Sequence, residues 1–298
     1  MNKKLNLGII GASEGNGHPY SWSAIFNGYN PEIMNNCGFP SIPIYLSKQK
    51  FPDDQLSEAQ VTHIWTQDIN LSRHVAAATY IKNVSENCYD FIEHVDGILL
   101  ARDDAEKHLE MARPFLKAGL PIYIDKPMAL SVSDAKKMFN LQQYEGQIFS
   151  CSAMKYAPEF KLTRSQIEMI GKVRLIHGYI PKSWNKYSVH IIDPILKIIP
   201  DRGQIINHKV LRSNDRVLLM INFKNGEEIY IQTCGAAVAP TSIRIIGTNG
   251  WVDFLFQDTF RAFRLALSDF VQGIINKDVR TSSNDILNVI KLVELGRS

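Results

Sequence analysis

Cysteine is scarce in this chain, and its few copies are not spaced to act together. Cys37, Cys88, Cys151 and Cys234 lie far apart and form no C-x-x-C pair, which argues against a disulfide scaffold and for reduced thiols in a cytoplasmic protein. Long apolar runs are missing as well. No stretch approaches the roughly 20 residues that span a bilayer. The run after Lys3 and Lys4 is too short for the core of a secretion signal, so no membrane partner is expected. Charge of one sign is also lacking, since 33 basic against 30 acidic residues leave a formal +3. That balance excludes the basic footprint of a nucleic-acid binder, while the small excess suits an anionic small ligand.

What is present is globular composition, 45% apolar and 21% charged over 298 residues, which is too long for one ordinary core and suits two domains. The first part reads as strand, helix, strand. An unbroken apolar run over 5–10 ends at Gly11, as a fully buried parallel strand leading into a ligand loop does. Residues 42–46, 61–65, 95–101 and 120–124 are further strand candidates. Between the last two, Ala105, Leu109, Ala112, Phe115 and Leu116 recur near helical spacing before the stop at Gly119. Ser131 caps a helix over 132–143, and 147–152 closes the first domain. The pattern then changes to strands over 173–180, 204–211, 216–223, 228–233 and 241–246, with Lys224-Asn225-Gly226 as a hairpin turn, and helices over 260–276 and 285–295. Successive strands with tight turns predict an antiparallel or mixed sheet. The expected domains are 1–151 and 152–298.

The strand end at Gly11 is followed by Gly15 and Gly17 and then a helix, which puts glycines where a backbone comes close to a pyrophosphate and offers N–H groups. The spacing departs from the usual fingerprint, whose first two glycines are two apart. Ser13, Asn16 and Ser21 add hydroxyl and amide donors, or serve as turn and capping residues. With 42–46 taken as the second strand, its end carries Ser47 and Lys48 and no acid. Such an end favours the 2′-phosphate of NADP over the free ribose of NAD, although the long 26–40 segment displaces this strand from its usual distance.

At Ile122-Tyr-Ile-Asp125-Lys126-Pro127-Met-Ala-Leu-Ser131 the chain resembles the glucose-fructose oxidoreductase, inositol dehydrogenase and MocA (Gfo/Idh/MocA) family, whose strand-end motif is Glu-Lys-Pro. Asp96-Gly-Ile-Leu-Leu, the helix from His108 to Gly119, Ile170-Gly-Lys-Val173, Ile246-Gly-Thr-Asn-Gly250 and the closing helix extend the likeness over nearly the whole chain. The resemblance implies an α/β protein with an N-terminal Rossmann-like parallel sheet for the dinucleotide. It also implies a C-terminal α+β substrate and oligomerisation domain on an open, mostly antiparallel sheet. Lys126 is then the residue beside the nicotinamide and the reacting hydroxyl, with Asp125, Lys126 and Pro127 at the cofactor. Hydride transfer at a carbinol needs the oxygen's proton and developing charge managed, and an ammonium does both. Pro127 keeps Lys126 out of the helical region. Asp125 stands where the family has glutamate, one methylene shorter.

Tyr187-Ser-Val-His190-Ile-Ile-Asp193-Pro194 resembles the family helix that presents a catalytic histidine. His190, Asp193 and Lys197 share one face of such a helix and Ile191, Ile195 and Ile198 another. Relatives with an Asp-x-x-x-His dyad carry the aspartate where this chain has Lys186. Either Asp193 or another group orients His190, or proton transfer falls to Lys126, or the site is not redox-active. Lys155, in a segment like the family's substrate-side loop, is a substrate candidate together with Lys186 and Tyr187; Trp184 and Tyr187 are candidates for stacking on a sugar ring. His108, His190 and Asp193 do not have metal spacing, so no metal is expected.

The expected function is an NADP- or NAD-dependent dehydrogenase acting on a sugar, polyol or nucleotide-sugar CH–OH group. The alternative is a dinucleotide- or sugar-sensing binding protein without turnover. A third reading is glycoside cleavage with no net redox change. The resemblance further implies a cytoplasmic homodimer or homotetramer with a sugar-like small molecule as its partner.

Overall fold

A computed structural model describes residues 4–297. Two compact units emerge. The first comprises residues up to Ala129, Ser133–Ser150 and Phe263–Asn284; the second comprises Leu130–Val132, Cys151–Ala262 and residues from Asp285 onward.

In the first unit, β1 (Leu5–Ile10) is buried without alternation from Leu7 onward, as a central parallel strand must be. After it come helices α1 (His18–Asn27), α2 (Pro31–Met34) and α3 (Ser41–Leu46), then β2 (Ala59–Trp65), α4 (Ile69–Thr79), β3 (Asn83–Val84), β4 (Gly97–Leu100), α5 (His108–Lys117), β5 (Ile122–Ile124), α6 (Val132–Phe139) and β6 (Ile148–Phe149). The strands form one parallel sheet in the order β3-β2-β1-β4-β5-β6. This is the doubly wound dinucleotide-binding order, whose ligand crevice lies beyond the carboxyl ends of the strands where the order reverses, between β1 and β4.

The expected strand over 42–46 is instead α3. Pro43 explains the difference. Inside a central strand it would remove a ladder donor, whereas in the first turn of a helix its missing N–H costs nothing. The place beside β1 is filled by β2, paired from Leu5↔Ala59 to Ile10↔Trp65.

The second unit holds α7 (Arg164–Ile170), β7 (Val173–Ile180), α8 (Trp184–Tyr187), α9 (Val189–Ile198), β8 (Ile205–Ser213), β9 (Arg216–Phe223), β10 (Glu228–Thr233), β11 (Ser242–Gly247) and β12 (Trp251–Leu255). Its sheet runs β12-β11-β7-β10-β9-β8, with β7 and β10 parallel and the other pairs antiparallel. Burial alternates along β9 and β10, so one face of the sheet is a core face. There Ile176, Ile180, Leu219, Ile221, Ile229 and Ile231 cluster with Ile191, Ile192 and Ile195 of α9. Helix α9 sits tightly on β7. A methyl at Gly178 would lie 2.1 Å from Ile191 Cγ2 and 2.7 Å from Ile195 Cδ1. Gly178→Ala is therefore expected to lose about 1–3 kcal/mol by overpacking, seen as a lower urea midpoint; an unchanged midpoint would mean that α9 yields freely.

After β12 come α10 (Thr259–Asn276) and α11 (Ser283–Leu295). The expected single cut after residue 151 assigns all of Phe263–Asn284 to the second domain, yet these residues cluster with the first unit. The reason is aromatic: Phe270 packs 5.7 Å from the rings of both Tyr123 and Phe149. Among the described residues, no helix is long and apolar enough to cross a membrane, and no group of three or more His, Cys, Asp or Glu is disposed to hold a metal ion.

Candidate active site

The carboxyl ends of β1, β2, β4 and β5 collect the polar residues of the first unit. Gly11, at φ +80, ends β1 and donates its N–H to the Trp65 carbonyl. Gln67 then grips Ala12, accepting from its N–H at 3.0 Å and donating to its carbonyl at 2.8 Å. A tight turn closes from the Asn16 N–H to the Ser13 carbonyl, with Gly15 at φ +78. Within it, the N–H groups of Ser13, Glu14 and Gly15 have no partner among the described residues, and consecutive free N–H groups ahead of a helix suit an anion. Gly17 has a different task. A methyl there would come within 2.5 Å of Ile42 Cδ1 and 2.9 Å of Phe39 Cγ, so this glycine lets α1 pack under the α2–α3 segment.

Counted from Gly11, the second and third positions of a Gly-x-Gly-x-x-Gly loop are Ser13 and Asn16. Both side chains reach acids on neighbouring strand ends. The Ser13 hydroxyl donates to Asp103 Oδ1 at 2.7 Å and accepts from the Asp103 N–H at 3.1 Å. The Asn16 amide donates to Asp125 Oδ2 at 2.8 Å, while its carbonyl accepts from the His18 N–H.

Asp125, at the end of β5, is 1% exposed. Its Oδ1 accepts from the Lys126 N–H at 2.7 Å, and its Oδ2 accepts from Asn16 and from His18 Nδ1 at 2.6 Å. Burial pushes this carboxyl up, but His18, Lys126 and the hydrogen bonds from His18 and Asn16 outweigh it and hold the group well below the usual carboxylate range. The shorter acid in place of glutamate thus finds its partners close by. Lys126 is buried, its Nζ 4.0 Å from Asp103 Oδ2, and the Lys126–Pro127 peptide is cis. Arg102 lies across Gly11 and pairs with Asp104. His108 holds two strand ends together, its ring nitrogens 2.8 Å from the Arg102 carbonyl and 2.9 Å from that of Met128.

In the second unit, α9 presents His190 and Asp193 to the turn Ala153–Tyr156. His190 Nδ1 is 2.8 Å from the Ser152 hydroxyl, and Asp193 Oδ2 accepts from the Ser152 N–H at 2.8 Å. A serine therefore orients the imidazole, with Lys186 at the position of the dyad aspartate. Lys155 Nζ lies 3.7 Å from Asp193 Oδ1. Burial pushes the Asp193 carboxyl up, opposed by Lys155, the Ser152 N–H and Lys197. On α8, Lys186 and Tyr187 are half-buried, and the Tyr187 hydroxyl accepts from Lys182 Nζ at 2.7 Å.

Residues 43–152 match the profile of an oxidoreductase family with an NAD-binding Rossmann fold, GFO_IDH_MocA. Over this stretch the chain is similar to the Gfo/Idh/MocA family. Over the full length the chain is similar in fold to two solved dehydrogenases. Scyllo-inositol dehydrogenase from Lactobacillus casei superposes with a TM-score of 0.73 at 14% identity, over 100% of this chain and 96% of that one. UDP-N-acetylglucosamine 3-dehydrogenase from Acidithiobacillus ferrooxidans gives 0.71 at 14%, over 99% and 97%. The Saccharomyces cerevisiae protein YMR315W, described as uncharacterised, is 22% identical over 54% of this chain and 54% of its own length. The match thus spans about half of that curated relative.

Ser13, Asn16, Asp125 and Lys126 come together in the first unit, while His190, Asp193 and Lys155 do so in the second. Ser47 and Lys48 do not join the site. They stand exposed on the turn after α3, where the Ser47 hydroxyl donates to the Ile44 carbonyl. The true second strand ends at Trp65, followed by Thr66, Gln67 and Asp68, and Asp68 caps α4. Trp184 is no stacking surface either, being 4% exposed with its indole N–H donated to the Val293 carbonyl. Sequence reasoning missed His18, Asp103, Gln67 and Ser152. His18 alone left a trace, as the residue that follows Gly17 at the start of a helix.

Proposed function

We propose that the chain is an NAD- or NADP-dependent dehydrogenase that oxidises a CH–OH group of a sugar, polyol or nucleotide-sugar and reduces the matching carbonyl. The observation that carries the reading is the buried Asp103–Lys126–Asp125 constellation at the carboxyl ends of β4 and β5, beside the turn from Ser13 to Asn16. The residues fit a dinucleotide, since the N–H groups of Ser13, Glu14 and Gly15 suit its pyrophosphate. A bound nicotinamide supplies the hydride acceptor or donor. Lys126 stabilises charge on the reacting oxygen, and its ion pair with Asp103 keeps the ammonium in place. Asp125 fixes the backbone N–H of Lys126 and the entrance to α1. His190, Asp193, Lys155, Lys186 and Tyr187 are assigned to the substrate side. The inositol and UDP-sugar dehydrogenases of the same fold support a sugar-like substrate.

Titration with NAD, NADH, NADP and NADPH, followed by a panel of polyols and sugar nucleotides, tests the reading. The expected outcome is saturable binding of one cofactor pair and formation of reduced nicotinamide with at least one panel member. Absence of nicotinamide binding would overturn it, and binding without turnover would favour a sensor.

A further inference from the structure

We infer that His18 is a second catalytic residue, the proton-transferring base of a His18–Asp125 dyad built into the dinucleotide-binding unit. The inference rests on the dehydrogenase reading above. Asp125 is ionised and can only accept, so the proton in the 2.6 Å contact sits on His18 Nδ1. A neutral ring held this way carries its lone pair on Nε2, the form a general base requires. Nε2 has no partner among the described residues, and the His18 side chain keeps 14% exposure while that of Asp125 keeps 2%.

The ring is held firmly for this task. It stacks on Trp22 with centroids 4.8 Å apart and planes 12° apart, and it meets the edge of Phe263 at 5.1 Å. The Asn16 carbonyl fixes its backbone at 2.8 Å. Trp22 and Phe263 bring no charge to the imidazole, and the charged group in direct contact with it is Asp125. A carboxylate on Nδ1 fixes the tautomer and stabilises the imidazolium that forms on proton transfer.

His190, whose relatives pair with aspartate, has a serine hydroxyl on Nδ1 and Lys186 at the dyad position. In the first unit a histidine is held by a carboxylate, that of Asp125, which precedes Lys126 in the chain. In the oxidising direction, the carbinol O–H bond breaks and its proton goes to His18 Nε2. The carbinol C–H bond breaks with its electron pair, and that hydride goes to the oxidised nicotinamide. The C–O bond becomes a carbonyl, and the imidazolium then releases its proton to water. Lys126 supplies the cation for the oxygen while its proton leaves.

His18→Asn is the discriminating variant, because the asparagine amide still donates to Asp125 as Nδ1–H does but nothing replaces Nε2. The expected result is a fall in kcat/KM for oxidation of about 10²–10⁴-fold with unchanged cofactor affinity. ¹⁵N-histidine NMR of the cofactor-free protein gives a readout independent of activity. Wild type should show a proton on His18 Nδ1, with the shift of a short, charge-assisted contact to Asp125 that Asp125→Asn weakens. A wild-type His18 without a proton on Nδ1, or an undiminished kcat/KM in His18→Asn, would overturn the dyad. If Lys126→Met is inactive while His18→Asn keeps full rate, the dyad fails and the dehydrogenase reading stands; if both keep full rate, the reading itself fails.

Discussion

Lys126→Met is expected to lower turnover on any substrate of the wild type by about 10²–10⁴-fold while cofactor affinity changes little. Methionine keeps the length and the apolar stem of a side chain that is almost wholly buried, so it removes the charge and its proton and little else. Asp103 loses its cation at 4.0 Å but keeps the Ser13 hydroxyl at 2.7 Å, so the strand end retains an anchor. If the lysine acts in the transition state, kcat and kcat/KM should fall together, because an interaction made only there lowers both. A rise in KM with kcat intact would instead make Lys126 a ground-state binding residue. Near-normal turnover would remove it from the chemistry, leaving His18 and His190 to be tested in its place.

The parallel sheet is legible in the sequence because its central strands are buried on both faces, so β1, β4 and β5 appear as unbroken apolar runs between turn signals. The second strand is legible over 61–65, but its place beside β1 is not. Ile42-Pro-Ile-Tyr-Leu has the composition of a strand and lies in the right part of the chain, and only the penalty on Pro43 in a central strand argues otherwise. The edge strand β12 escaped for the opposite reason. Trp251, Asp253 and Leu255 are exposed, which blurs the alternation that marks a half-buried strand. At the site, Lys126-Pro127 was readable because its meaning is local: a proline after a strand end restricts the residue before it. Contacts between distant residues leave no such mark. His18 and Asp125 are 107 residues apart, and Ser152 and His190 are 38 apart. Each is an ordinary polar residue until the sheet brings the strand ends together. Ser47 and Lys48 were set at a strand end by the same route, because they acquired their meaning from a strand that is a helix.

Asp125→Ala should be among the most destabilising single substitutions in the first unit, at about 3–5 kcal/mol, the usual cost of removing one partner of a buried pair. The carboxylate accepts from Asn16 at 2.8 Å, His18 at 2.6 Å and Lys126 N–H at 2.7 Å, and alanine leaves all three donors facing an apolar side chain. Asparagine keeps one acceptor oxygen, so Asp125→Asn should lose less. The pH dependence separates charge from shape. Because the native carboxyl is held below its ordinary value, its contribution is fully present above the unfolded-state value of about 4 and fades as pH falls through the lower native value. The stability gap between wild type and Asp125→Asn should therefore be constant from neutral pH down to roughly 5 and narrow below about 4. Urea unfolding followed through Trp22, whose indole stacks on His18, reads the transition near the site. A gap of the same size at pH 7 and pH 3 would mean that shape and hydrogen bonding, not the anion, make Asp125 necessary, and the charge-held geometry of His18 would lose its basis.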